Sequence, residues 1–351
     1  MLTNPQKLSF EKLHEKGSSP QDLGLSEDHI KFVIARSALD LQISAVRVPD
    51  VLLEVSSGQV RADYVFPGQF DSLAEYEKLL TAEPDAETYA ACLGRILRAR
   101  LKYQCVLETQ SLPTMDQVGP RSLLQYGTVD DSSLASLLVW RKWVFDIDNR
   151  AAQDTGYLFE PILAGAIGGV PYGHRYSPIR RLSGKGGRQV DAIKGKDAFE
   201  FKIRITIAAS GQGRWKEELD FPVECENAGY RPVLIVLDPT PNAKLSEISH
   251  AYYRRGGVVL TGEEAWDYLR AEAGAAMGTF ISKYVEAPIK AMVDQEQLGR
   301  YLLPLTLSQQ QGKIVFGVGD SLICVDRKVD QEESPYDEIP DDAGRFLPGG
   351  I

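Results

Sequence analysis

Residues Gln189 to Ile205 carry a pattern that few folds accommodate. From Phe199 to Ile205 apolar and charged residues alternate without a break, the period of a strand with one face covered. Gln189 to Ile193 reads as a second short strand. Gly195-Lys196 between them suits a two-residue hairpin loop with glycine at its first position. In that register Lys194 faces Asp197, Asp191 faces Glu200 and Gln189 faces Lys202. Gln189, Asp191, Glu200 and Lys202 then emerge on one face.

Two carboxylates directly across a strand pair repel. A bridging cation relieves that repulsion, and hard oxygen donors suit Mg²⁺, with water and phosphate completing its shell. Lys202 stands one strand step from Glu200, where an ammonium orients water or offsets phosphoryl charge. Metal, water and cation together are the equipment of phosphodiester hydrolysis. Taken alone, the spacing also fits an amphipathic strand with a solvated charged face.

Composition sets the surroundings. The 351 residues are 43% hydrophobic and 25% charged, as in ordinary globular proteins, and suffice for one large domain or two smaller ones. No run of 18 apolar residues occurs, and the first residues lack a signal-peptide layout, so a cytoplasmic protein without a membrane span is expected. Cys92, Cys105, Cys225 and Cys324 are scattered and form no C-x-x-C pair, which argues against a zinc site or a disulfide framework. The net charge of −10 argues against general nucleic-acid binding. Yet Pro171 to Lys216 holds eleven Lys/Arg against Asp191, Asp197 and Glu200, a local excess of +8. Such an island around the acidic pair suits a polyanionic substrate.

Element order is readable around the hairpin. Residues 1–145 form a mainly helical N-terminal region, with helices expected from Ser26, over 72–80, over 86–103 and over 130–145, and a strand over 46–55. Residues 146–290 contain a helix over 151–167, a first strand over 174–182, the hairpin, a helix over 214–228 ending at Gly229, a doubly buried strand over 233–237, a helix over 245–255 and a strand over 257–260. Residues 291–351 form an extension ending in an acidic, Pro- and Gly-rich tail.

Outside the hairpin, Glu160 is a candidate third carboxylate on the preceding helix, with Asp154 as its alternative. The turn 206–215 opens a helix with small residues and glycines, and a helix N-terminus favours phosphate. Its Ser210, Gln212 and Arg214 are candidates for phosphate or base-edge contacts. Ser183 to Gly187 lacks the spacing of a Walker loop and reads as a basic loop near DNA. His174 reads as structural or as a phosphate contact.

The acids and the element order together resemble the PD-(D/E)XK nuclease superfamily. Asp191 is the signature acid, with Val190 in place of the proline, and Glu200-Phe201-Lys202 fills the E-x-K element. The run Val118-Gly119-Pro120-Arg121, Trp140 to Trp143, Asp146 to Arg150, Phe159-Glu160-Pro161 and the block 189–215 is similar to the ApaLI-like type II restriction endonucleases over about residues 118–270.

That resemblance implies an α/β restriction-endonuclease-like core, a mixed central sheet flanked by helices, beside a largely helical N-terminal region. It implies a bacterial, Mg²⁺-dependent, homodimeric nuclease cutting double-stranded DNA at a short palindrome. Asp191, Glu200 and the Phe201 carbonyl would hold the metal, Lys202 would position or activate water and Glu160 would assist. Lys185, Arg188, Gln189, Ser210, Gln212 and Arg214 would face DNA. A structure-directed repair nuclease or resolvase shares the same core. A non-catalytic DNA-binding regulator would carry a damaged D…E-x-K set, and here the set is intact.

Overall fold

The computed structural model describes residues 2–16, 23–49, 52, 70–184, 186–205, 212–293, 295 and 302–328, with the backbone alone at 212–214. Among them run helices α1 (Asn4–His14), α2 (Glu27–Asp40), α3 (Ser72–Ala82) and α4 (Ala86–Thr109), then a short turn of helix (Met115–Val118) leading into a 3₁₀ turn (Gly119–Leu124). Helix α5 (Asp131–Ala166) follows, then strands β1 (Val170–Tyr172), β2 (Val190–Lys194) and β3 (Asp197–Lys202). Next come α6 (Gln212–Asn227), β4 (Arg231–Val236), α7 (Ala243–Tyr253), β5 (Val258–Thr261), α8 (Glu263–Phe280), a π-turn (Ile281–Glu286) and α9 (Ala287–Val293). Strands β6 (Leu305–Gln310), β7 (Lys313–Val318) and β8 (Ser321–Asp326) close the described chain.

Strands β1 to β5 form one sheet in sequence order. β1, β2 and β3 are antiparallel, while β3, β4 and β5 are parallel, with α6 and α7 as crossovers. The β2–β3 hairpin has the expected register, with Lys194 opposite Asp197 and Ala192 opposite Phe199. Gly195 sits at φ +61°, the left-handed conformation its loop position requires, and Lys196 does not.

Each face of the sheet closes a separate core. Ala192, Phe199, Phe201, Val233 and Ile235 pack with residues of α2, α4, α5 and α8. Ala198, Leu234 and Val236 pack with Phe221 and Cys225 of α6 and Ile248 and Tyr252 of α7. Strict alternation along β3 and β4 serves both cores, so β4 is buried on both sides, as its continuous apolar run predicts.

Strand β2 breaks the alternation. Val190 and Ile193, three residues apart, join the same cluster. Against β1 the pairs are Val170↔Ile193 and Tyr172↔Val190, which leave one residue between them on β1, Pro171, and two on β2, Asp191 and Ala192. This is a β-bulge with its extra residue beside Asp191, a device that bends a strand and re-aims a side chain.

Several sequence expectations are corrected. The first strand is β1 at 170–172; residues 174–182 are turns with one isolated bridge, Arg180 to Gly187. The helices expected over 130–145 and 151–167 are one helix of 36 residues, α5, continuous through residues 145 and 146. It begins where Asp130 caps the Ser133 N–H and passes through Pro161. Among the described residues of 46–55 there is no strand. Strands β6 to β8 form a three-stranded meander that the sequence reading did not anticipate. It meets the helical part where Ile314 packs with Trp143 and Ile147, and where Arg327 donates to the carbonyls of Leu107 and Gln110. The tail beyond residue 328 lies outside the described residues.

Candidate active site

Sheet geometry brings Asp191, Glu200 and Lys202 together on the face covered by α6. The β2–β3 ladder is paired through Ala192 and Phe199, and Asp191 and Glu200 are the next pair in that register. There the Phe201 N–H turns to the Asp191 carboxylate, 2.8 Å from Oδ2. The backbone of one strand thus fixes the acid of the other at the bulge. Lys202 Nζ lies 2.8 Å from Glu200 Oε1 and 3.5 Å from Glu218 Oε1 on α6. The side chains of Lys202, Glu200 and Glu218 are 24%, 15% and 23% exposed, so the group is sheltered yet reachable from solvent.

Glu160 joins this set from α5. Its side chain runs back along the helix over Gly156, where an added Cβ would stand 4.0 Å from Oε1. Burial pushes the Glu160 carboxyl up to about 7, Glu200 adds to the rise and Lys202 opposes it. Asp191 is raised well above the ordinary range by burial, then by Glu200 and Glu160, against Lys202 and the Phe201 N–H. Burial alone would lower Lys202, but Glu200, Glu218 and Asp191 outweigh it and hold the ammonium charged. The acids therefore sense one another's charge through a partly desolvated space. Buried like charges that perturb one another in this way make the cluster a functional-site candidate.

Oxygen donors of this kind fit a hard divalent cation. Among the described residues, however, no three of His, Cys, Asp and Glu converge as a ligand shell. Glu200 is engaged by the Lys202 ammonium and Asp191 by the Phe201 amide, so the acids stand as a hydrogen-bonded, ion-paired set. The Phe201 side chain is 2% exposed within the core, leaving only its backbone to face the site.

The remaining candidates divide. Asp154 is held elsewhere by Lys102 of α4, at 2.8 Å, which leaves Glu160 as the acid of that helix in the cluster. Gln189 is exposed just before β2. Arg188 is not: it is 8% exposed, its Nε lies 3.7 Å from Glu224 Oε2 and its guanidinium stacks over Phe221. Among the described residues Glu224 Oε2 has no hydrogen bond, so Arg188 is its charge partner and is buried against α6. His174 is exposed, and its carbonyl accepts the Gly187 N–H at 3.1 Å. Lys185 and Ser210 lie outside the described residues, as do the side chains of Gln212 and Arg214.

In three dimensions the basic island is partly spent on α6 and α8. Arg181 pairs with Glu217, Arg188 with Glu224 and Lys194 with Glu272. Arg175, Arg180 and Arg204 are exposed without an ion pair among the described residues. The sequence reading missed Glu218. Its signal was helical spacing, because positions 218, 221 and 225 share one face of α6 and both Phe221 and Cys225 reach the sheet. A surface cavity of about 520 Å³ lies between α6 and α7, lined by residues including Leu219, Val223 and His250, and none of the four candidate catalytic residues lines it.

A mixed five-stranded sheet with helices on both faces and an acid–lysine cluster at the β2–β3 hairpin is consistent with a restriction-endonuclease-like fold. The chain belongs to the ApaLI-like restriction endonuclease family, whose model matches residues 59–286. It is 45% identical over 236 residues to the type II restriction enzyme ApaLI of Acetobacter pasteurianus, a match covering 65% of this chain and 63% of the relative, so the chain spans under two thirds of that enzyme's length. No solved structure matches.

Proposed function

We propose that the protein is a type II site-specific deoxyribonuclease that hydrolyses double-stranded DNA at a short palindrome, with Mg²⁺ as cofactor, in the bacterial cytoplasm. One observation carries this reading: the β2–β3 hairpin sets Asp191 on the Phe201 amide beside the Lys202–Glu200 ion pair, and Glu160 of α5 is close enough for its carboxyl to be raised by Glu200. Family membership and the similarity to a type II restriction enzyme support it.

In this reading Asp191 and Glu200, with the Phe201 carbonyl, hold the metal, and Glu160 completes or supports the set. Bound there, the ion would polarise the phosphoryl oxygens and lower the pKa of a coordinated water. The neighbouring acids favour the charged form of Lys202 in the metal-free protein, and at the metal-loaded site its role is to position or activate the attacking water and to offset developing phosphoryl charge. For Glu200 to serve as a ligand it must share or release Lys202. Glu218 offers the ammonium a second carboxylate and keeps it in place. DNA contacts are assigned to Gln189, Lys185, Ser210, Gln212 and Arg214, with Arg188 bracing the loop before β2. Residues 1–145 contribute to recognition, 146–290 form the nuclease core and 291–351 an extension.

The test is digestion of a sequenced plasmid by the protein in Mg²⁺, with end mapping. Discrete fragments whose ends share one short palindrome are expected. Uncut plasmid at high enzyme excess, or ends dictated by DNA structure with no common sequence, would replace this reading with a binding protein or a repair nuclease.

A further inference from the structure

The acids around Lys202 repel phosphate, so a nucleic acid reaches them only if other cations draw its backbone in. Much of the basic island is committed elsewhere, with Arg181, Arg188 and Lys194 paired to acids of α6 and α8. Arg180 and Arg204 are not: both are exposed, with no ion pair among the described residues.

Both stand at one end of the sheet. Strand β3 ends at Lys202, opposite Val236 at the end of the parallel strand β4. Open α/β sheets take their ligands outside the carboxyl ends of such strands. Arg204 lies two residues past Lys202, about 6–7 Å further along the chain. Its backbone is pinned on either side. The Ile203 carbonyl accepts the Asp238 N–H at 2.8 Å, and the carbonyl of the buried Ile205 accepts from Asn242 Nδ2 at 3.1 Å. The loop 173–189 starts and finishes at the same end, because it leaves β1 at Tyr172 and enters β2 at Val190, and β2 runs against β3.

That loop is firmly built. Ser177 and Ile179 are buried, and the Ile179 N–H donates to Ser177 Oγ at 3.2 Å. The Arg188 N–H donates to the Ile179 carbonyl at 2.8 Å, and the Leu182 N–H to Glu224 Oε1 of α6 at 2.8 Å. A Cβ at Gly187 would stand 2.3 Å from the His174 carbonyl oxygen, so the loop closes only on glycine there. Arg180 bridges to this Gly187 and precedes Arg181, which lies 3.1 Å from Glu217. Glu217 is the chain neighbour of Glu218, the second carboxylate at Lys202. The loop thus presents Arg180 beside the turn of α6 that serves Lys202. An arginine on a fixed backbone with no acid to hold it is prepared to take a phosphate.

We infer that Arg180 and Arg204 are a pair of DNA-phosphate contacts on either side of Lys202, holding the backbone at the carboxyl end of β3 against the repulsion of Glu160, Asp191, Glu200 and Glu218. The inference rests on the nuclease reading for its substrate. Such contacts fix the position of the duplex and carry no base preference.

The test is the salt dependence of binding to a short fluorescent DNA duplex, read by anisotropy with the full chain in excess chelator. Each phosphate contact contributes about 0.9 to the slope of log affinity against log salt. Arg180→Gln and Arg204→Gln should each lower the slope by about that amount and weaken binding roughly tenfold at about 0.1 M salt, equally on every sequence. Arg180→Lys and Arg204→Lys should keep the wild-type slope. Arg254→Gln removes the same charge at the opposite end of the sheet, where α7 returns to β5, and should change nothing. Unchanged slopes in both glutamine variants, an equal drop in Arg254→Gln, or a loss confined to one DNA sequence would each overturn the assignment. A wild type that binds no DNA would overturn it together with the nuclease reading. A wild type that binds with the expected slopes yet never cuts in Mg²⁺ keeps the two contacts and loses the nuclease reading, and cutting beside unchanged slopes does the reverse.

Discussion

At the residue scale, the chemistry depends on how carboxylates share a confined space. Asp191 and Glu160 have pKa values raised above the ordinary carboxylate range by burial and by neighbouring acids. A raised acid stabilises the fold below its ordinary pKa, and that contribution is lost as pH rises through the folded value. For Glu160 the window runs from 4.5 to about 7. Metal-free protein should therefore lose stability between pH 5 and pH 8. Glu160→Gln and Asp191→Asn should flatten that loss and raise the melting temperature at pH 8. Thermal melts in chelator at both pH values decide it, and equal pH slopes for wild type and variants would contradict the coupling. Lys202 gives a second prediction through its other partner. Glu218→Gln should slow cleavage roughly 10–100-fold, the usual cost of losing a supporting partner, with DNA affinity unchanged. Equal loss of affinity would recast Glu218 as part of the binding surface.

At the element scale the hairpin does the positioning, and it is also what the sequence showed most plainly. Period-2 alternation from Phe199 and a glycine-first loop at 195–196 are local signals, so the register was readable. The bulge at Asp191 was not, because it arises from pairing with β1, a strand too short and too exposed to show a pattern. Glu218 was hidden because its partner is reached across a crossover. The β6–β8 meander was legible and passed over: its two-residue loops place Gly312 and Gly319 at φ +69° and +57°, a plain hairpin signal. Arg188 shows the limit of charge counting, because a basic residue in a basic stretch lies buried against Glu224. Removing one partner of a buried pair leaves the other uncompensated, at a cost of about 3–5 kcal/mol. Arg188→Ala should approach that loss in denaturant unfolding while the folded protein keeps its affinity for DNA. A stable variant with weakened DNA binding would return Arg188 to the interface.

At the scale of the whole molecule, one long helix joins the parts. Helix α5 leaves Leu137, Val144 and Phe145 exposed in its first half, carries Glu160 near its end, and packs against the sheet core. No helix among the described residues is long and apolar enough to cross a membrane. The functional reading requires that Asp191 belong to a metal-dependent cleavage centre distinct from the groups that bind DNA. The decisive experiment sets Asp191→Ala beside the wild type in cleavage and gel-shift assays on the same DNA, with Mg²⁺ and with excess EDTA. The wild type should cut in Mg²⁺ alone. The variant should not cut but should bind specifically and undiminished, since removing a carboxylate also removes repulsion from phosphate. Wild-type cutting by the variant, or full cutting in EDTA, would contradict that assignment.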